Sequence, residues 1–374
     1  ILAELDAQIV ELIGPGSSVA NLTSSVTGSS IRIDGLRRYV DVFGQGRFEH
    51  RGQAVDRDGT SDATVTWTRH VFYDDELGIV ECEGSVVASN QPDAFTVQTL
   101  RADRARLMLE PRVGGVPEDP GAPPRPLQRA YAWGSTGEFR RPAQVEMRVY
   151  ASPHAAGRER PTRVAFLEGD HIIADDVDGT LRVPGDGRAF FSDRRRNEEG
   201  SRMDQARAAA DAAQTSNPFG GRFERGDSRF QWRDSMVVER RTGVVTLTGK
   251  SNLRHVRLTD GLPTDIEADT IIGRFKNMQV SEADRRDLEL RAEFLGADAL
   301  GNVWIRSTDN KELLADRVEY DAEAGIAKAI ADAGNSVVFF DPSQGVPQRA
   351  AVLYWDQANN RIEIREAGTI VVPR

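Results

Sequence analysis

HVFYDDELGIVECEGSVVAS, residues 70–89, holds the pattern that decides how this chain folds. An acid, Asp74, is followed six and eight places on by the apolar pair Val80 and Cys82, and two places further by Gly84. Apolar residues two apart lie on one face of a strand, because side chains alternate across it. Glu81 between them is polar, which is the alternation of a half-buried strand. The acid and Gly78, four places after it, bracket a turn, where a short acidic side chain and a positive φ are tolerated. Gly84 suits a bulge or a tight bend that has no room for a Cβ.

The same spacing is written five more times. Asp34 leads to Val40, Val42 and Gly44; Asp175 leads to Leu181, Val183 and Gly185; Glu239 leads to Val245, Leu247 and Gly249. Asp321 leads to Ala327 and Ala329, with Ala331 in the place of the glycine. Asp356 leads to Ile362 and Ile364, with Glu366 in that place and Gly368 two residues late. Gly243, Gly325 and Asn360 repeat the residue four places after the acid. The residues between the apolar partners are mostly polar: Asp41, Arg182, Thr246, Lys328 and Glu363. Internal repetition outranks any local motif in reading a fold. The pattern predicts an all-β chain, a stack of β-turn-β units around one apolar interior, with strands through 38–48, 78–89, 180–191, 243–254, 326–331 and 361–371. The twelve apolar positions of the six pairs are expected to face inward, and the small Ala327 and Ala329 are expected to leave the interior widest.

Composition fits a sheet with one wet face. Hydrophobic residues make up 39% of the chain and the mean hydropathy is −0.46, lean for a closed globular core. At 374 residues the chain has room for two or three domains of about 150 residues each. The formal charge of −10, with no basic block, argues against nucleic-acid binding. Arg194, Arg195 and Arg196 form the one arginine run, and it sits in a polar segment. A single cysteine, Cys82, excludes an internal disulfide. It occupies an inward position and reads as a buried thiol rather than a reactive one. No run approaches the roughly 18 apolar residues of a membrane span, and no signal peptide is visible. The chain opens at Ile1 without a methionine, as a partial or processed form would, with any export signal or anchor upstream.

Two segments break the β-rhythm. Residues 111–128 are rich in Pro and Gly and read as an extended loop, with a proline-recognition ligand as the sharper alternative. Residues 194–227 read as a polar linker whose alanine-rich part, about 202–214, is a short helix or disordered. The predicted layout is an N-terminal amphipathic segment at 1–16, a first β domain at 17–193 carrying the 111–128 insertion, the 194–227 linker, and a second β domain at 228–374. In the first segment Leu2, Leu5, Ile9, Leu12 and Ile13 are spaced as on a helix packed against one end of the first sheet. A membrane-surface helix is the alternative, and the basic face that such helices carry is missing.

Catalytic constellations are scarce. His50, His70, His154, His171 and His255 show no metal-ligand spacing. The acids Glu168, Asp170, Asp175, Asp176 and Asp178 are dense enough for a cation site, yet they belong to the third copy of the turn. Without a nucleophile motif, a phosphate loop or a dinucleotide fingerprint, neither an enzyme nor a cofactor is expected, and no metal. Trp67, Trp133, Trp232, Trp304 and Trp355 are irregularly placed, which argues against a line of sugar-stacking aromatics.

An Ala-Asp step recurs at Ala102, Ala174, Ala268 and Ala315. With it, LLADRVEYDAEAGIAKAIADAG (313–334), HVFYDDELGIVECEGSVVAS (70–89) and MVVERRTGVVTLTGKSNL (236–253) resemble the OstA-like (LptA–LptC) family of lipopolysaccharide-transport proteins. The resemblance covers most of residues 30–110 and 229–374, and more weakly 162–192; the Pro-rich insertion, the helical linker and the tandem length depart from a single bridge domain. It implies a β-jellyroll, or β-taco, whose facing sheets leave a groove for acyl chains. Val40, Val42, Val80, Cys82, Leu181, Val183, Val245, Leu247, Ala327, Ala329, Ile362 and Ile364 would line that groove. The implied ligand is lipopolysaccharide or a similar glycolipid, and the implied place is the periplasm, in outer-membrane biogenesis. The implied protein partners are other OstA-like proteins, or further copies of this chain, joined through open edge strands such as 365–372. A groove that covers about ten methylenes gains about 8 kcal/mol before ordering costs. Against this stands an ordinary filled sandwich core, in a structural or scaffolding β-repeat protein of the cell envelope.

Overall fold

The computed structural model describes residues 2–4, 9–20, 24–53, 60–111, 125–137, 140–153, 156, 159–194, 226–258, 261–276, 293–307, 310–356 and 361–365. Among them are 26 strands and no helix, so the chain is all-β. It divides into two compact units, Ile1–Gly185 and Asp186–Arg374.

All six acids open the same hairpin. Each pairs with the residue five places on, across a four-residue loop: Asp34 with Tyr39, Asp74 with Ile79, Asp175 with Thr180, Glu239 with Val244, Asp321 with Ile326 and Asp356 with Arg361. The aspartates hold the loop by accepting a backbone N–H three places on: Arg37 to Asp34 at 2.8 Å, Leu77 to Asp74 at 2.9 Å, Asp178 to Asp175 at 2.9 Å and Ala324 to Asp321 at 3.0 Å. The fourth loop residue is left-handed in every described copy: Arg38 (φ 56), Gly78 (69), Gly179 (68), Gly243 (72) and Gly325 (66). This is the short loop that antiparallel strands favour when a type I turn is closed by a left-handed residue.

The second glycine makes a corner. Gly44, Gly84, Gly185 and Gly249 have φ of 78, 86, 78 and 81, where other residues are strained. In the first unit the strands are β1 (Leu2–Glu4), β2 (Ile9–Ala20), β3 (Ser24–Asp34), β4 (Tyr39–Phe43), β5 (Gly46–Gln53), β6 (Thr60–Trp67) and β7 (His70–Asp74). They continue with β8 (Ile79–Gln91), β9 (Thr96–Leu109), β10 (Leu127–Trp133), β11 (Ala143–Val149), β12 (Arg163–Gly169), β13 (His171–Asp175) and β14 (Thr180–Pro184). On the turn side of the corner the antiparallel order is β1-β2-β3-β4-β7-β8-β9-β10-β13-β14. Beyond the corner it is β2-β3-β5-β6-β8-β9-β11-β12. Long strands cross from one row to the other through a bulge, as β8 does between Glu83 and Val86.

The second unit repeats the plan with β15 (Gly187–Asp193), β16 (Gly226–Trp232), β17 (Ser235–Glu239), β18 (Val244–Arg257), β19 (Pro263–Lys276) and β20 (Glu293–Arg306). It ends with β21 (Glu312–Asp321), β22 (Ile326–Ile330), β23 (Val337–Phe340), β24 (Gln348–Ala350), β25 (Val352–Asp356) and β26 (Arg361–Arg365). Its turn-side row is β17-β18-β19-β20-β21-β22-β25-β26. Its far row is β15-β16-β18-β19-β20-β21-β23-β24.

The two rows of each unit share a core. In the first unit, Ile31 and Val42 from the turn side pack with Trp67, Val26, Phe48 and Val65 from beyond the corner. In the second, the rings of Phe339 on β23 and Trp355 on β25 meet edge to face with centroids 5.7 Å apart.

One expectation changes, and those for the two long connections fall mostly outside the described residues. The N-terminal helix is absent: β1 pairs with β2, and β2 runs through Gly14-Pro15-Gly16 as a corner strand paired with β3. Ile9 to Ile13 satisfies a strand as well as a helix, and pairing with β3 decides between them. The segment between β15 and β16 closes a hairpin: Ser192 pairs with Asp227, Ser192 Oγ donates to Asp227 Oδ1 at 2.7 Å, and Arg194 Nη2 donates to Oδ2 at 2.7 Å. The helix expected at about 202–214 lies outside the described residues, as does the strand expected beyond Arg365. The 111–128 insertion likewise closes the β9–β10 hairpin, where Glu110 N–H donates to Pro126 O at 3.0 Å; residues 112–124 lie outside the described set.

Candidate functional site: the apolar interior

The twelve inward positions differ by depth. Next to the corner, Val42 (1% exposed), Cys82 (9%), Val183 (0%) and Leu247 (3%) are buried. Two residues nearer the turns, Val40, Val80, Leu181 and Val245 are only half-buried. In these four copies burial falls from the corner toward the turns, while Val40 and Val80 still pack against the buried clusters. The tips of the first unit's turns carry exposed Leu36, Leu77 and Val177. The corresponding tips in the second unit carry Arg240, Arg241 and Glu323.

The fifth and sixth copies are built otherwise. Ala327 and Ala329 are both 1% exposed, so the interior is not widest there. Ala327 lies between Tyr320 and Trp355 on its neighbouring strands, and Ala329 lies between Val318 and Leu353. Small residues admit large neighbours, and the rings take the space the alanines leave. Ile362 is half-buried and Ile364, on β26, is 40% exposed.

Residues outside the repeat finish the closure. Trp67 and Trp232 are 1% and 2% exposed, and each ends its strand at the corner. Both stand seven places before a turn acid, Asp74 and Glu239, a spacing the sequence already displays. Trp67, Trp232 and Trp355 bury their indole N–H groups without a hydrogen-bond partner, so the rings serve as apolar filler. Burial also pushes the Cys82 thiol up to about 12, where it stays protonated and unreactive at neutral pH.

The polar groups raised by the sequence are spent on the fold. Asp175 accepts from the Asp178 backbone and from Arg129 Nε at 2.8 Å; Glu168 accepts from Gln144 at 3.2 Å; Asp170 pairs with Arg140. Among the described residues no group of three His, Cys, Asp or Glu side chains gathers as metal donors. The Ala-Asp step has two uses. Asp269 accepts from Asn302 Nδ2 at 2.7 Å and Asp316 accepts from the Asp332 backbone at 2.7 Å, both at corners, while Asp175 belongs to a turn. Each unit also carries a cross-strand Ser–His hydrogen bond, Ser24–His50 and Ser228–His255, both at 2.8 Å to Nδ1. Burial, and then Arg257, holds His255 below the ordinary imidazole range.

No protein-family model matches the chain, and no curated protein or solved structure does either.

Proposed function

We propose that this chain is a periplasmic lipid-binding bridge that holds acyl chains of lipopolysaccharide, or of a related glycolipid, in a β-jellyroll interior. The observation that carries this reading is the gradient of burial in four copies, complete next to the corner and partial at Val40, Val80, Leu181 and Val245. An open apolar strip on a sheet must meet itself, a partner or a ligand. A lipid chain is the ligand that needs apolar contact and no polar anchor. The turn tips of the first unit add exposed Leu36, Leu77 and Val177. The motif resemblance supplies the glycolipid and the compartment.

A second reading has its own observation. Complete burial of Val183, Leu247, Ala327 and Ala329 leaves a ligand nothing to touch there, as in a filled core of an envelope scaffold. A photo-crosslinking residue separates the two. Placed at Val245 in an outer-membrane-bearing host, it is expected to capture lipid, while the same probe at the outward Thr246 captures none. No lipid on a folded Val245 probe protein would leave the scaffold as the better reading.

A further inference from the structure

The outward face of the far row in the second unit carries a cleft. β16 and β18 offer Arg229, Gln231, Asn252 and Arg254, and β19 and β20 offer Asp265, Glu267, Trp304 and Arg306, around a volume of about 310 Å³. Ligand clefts begin near 300 Å³, so one sugar-sized ring fits. The cleft opens on the face opposite Ile266 and Ile305, which are 6% and 1% exposed and point inward. It therefore stands apart from the lipid reading of the interior.

Its side chains are held before any ligand arrives. Asp265 is 5% exposed; Arg306 Nη2 donates to its Oδ2 at 2.8 Å, and Arg254 Nε stands 3.7 Å from its Oδ1. Asn252 Nδ2 donates to Glu267 Oε1 at 3.2 Å. The Arg306 guanidinium lies 5.3 Å from the centroid of the Trp304 ring, a cation–π contact that steadies both groups. Such preorganisation lowers the ordering cost of binding. Three arginines face two carboxylates, which leaves one positive charge here on a chain of net charge −10.

The lining selects by chemistry. A purely apolar ligand would strand the charged groups around it, and a bare anion would make no use of the indole. Planar amide, carboxylate and guanidinium ends match adjacent hydroxyls, an indole matches the C–H face of a pyranose, and the Arg229 guanidinium, which lies 5.9 Å from the Phe190 ring centroid and also acts on Asp227, offers its charge to a carboxylate. We propose that this cleft binds an acidic saccharide, a sugar ring that bears a carboxylate.

Calorimetric titration of the whole chain with D-glucuronate, D-glucose and acetate tests it. Glucuronate should bind, with glucose and acetate each about tenfold weaker or more, the equivalent of losing one good stacking or charged contact. Trp304→Leu should weaken glucuronate by about tenfold, and Arg229→Gln should remove the preference over glucose, with the strand circular dichroism of both variants unchanged. Should Trp304→Leu fail to fold, the indole N–H spectrum of the wild-type chain carries the test: the Trp304 signal should move with glucuronate and the Trp133 signal should not. Acetate binding as tight as glucuronate, or a Trp304 signal that stays still, overturns the proposal.

Discussion

β18 and β22 begin from the same hairpin and end differently. After Glu239, β18 runs fourteen residues, Val244–Arg257, straight through the corner at Gly249 and Lys250, whose φ are 81 and 53. After Asp321, β22 stops at Ile330, and the far row resumes only at Val337 in β23. The difference lies at one position, Gly249 in one copy and Ala331 in the other. With a left-handed glycine at the corner the chain runs through it, as in β8 and β18, or resumes within three residues, as from β4 to β5 and from β14 to β15; with Ala331 there it leaves the sheet for six residues before β23. The interiors differ in parallel: half-open toward the turn beside Val245, and filled by Tyr320, Phe339 and Trp355 beside Ala327.

The largest test of this contrast is truncation of a filling ring. Trp355→Ala removes a ring that is 2% exposed and should destabilise by about 3–5 kcal/mol, the usual range for buried Trp→Ala. Val245→Ala, at a half-buried position, should lose about 1 kcal/mol by the methylene rule. Equal losses in thermal unfolding would erase the distinction between filled and half-open copies.

Next comes the corner. A Cβ on Gly249 would sit 2.6 Å from the Asp234 backbone nitrogen, whereas a Cβ on Gly185 meets nothing within 4 Å. Both positions are left-handed, which alone costs about 1–2 kcal/mol. Gly249→Ala should therefore lose about 3 kcal/mol in denaturant unfolding, the strain plus overpacking, and Gly185→Ala only about 1 kcal/mol. Both positions share the strain, so a reversed order would mean that the close approach to Asp234 does not set the cost at Gly249.

The smallest effect belongs to the turns. The Asp178 backbone N–H, with the Arg129 guanidinium behind it, holds Asp175 below the ordinary carboxylate value of 3.8. A depressed folded pKa adds stability that is fully present above that value and is lost as pH falls through the folded pKa. Asp175→Asn should lower stability modestly at pH 7, and the gap from wild type should close in acid below about pH 3.8. A gap that persists undiminished at pH 2 would show that the loop geometry, rather than the charge, carries the contribution.

Much of this architecture was legible because it rests on local chemistry. Asp74, Gly78, Val80, Cys82 and Gly84 each declare a turn, a face or a corner by residue type and spacing alone. Arg38 was not legible, since an arginine in the left-handed region is dictated by the loop around it. Gly179 keeps the same offset in the third copy and a matching φ of 68, inside an acidic run that serves the turn. The N-terminal strand is not legible because Ile9 to Ile13 fits two periods, and only a long-range partner, β3, distinguishes them. The filling of the fifth copy was hidden for the same reason. Ala327 reads as empty space until the strands that bring Tyr320 and Trp355 beside it are known.

The longer connections have a practical consequence. Residues 54–59, 112–124, 195–225 and 277–292 each join two strands that are already paired, Gln53 with Thr60, Leu109 with Leu127, Ser192 with Asp227 and Lys276 with Glu293. A connection whose ends are clamped neighbours can change length without shifting the register of either strand. Doubling such a loop adds only about 0.6 kcal/mol of closure entropy. These four joints are thus ports for grafting: a fluorescent protein or an epitope with adjacent termini can be spliced in and leave the strand lattice on both sides undisturbed.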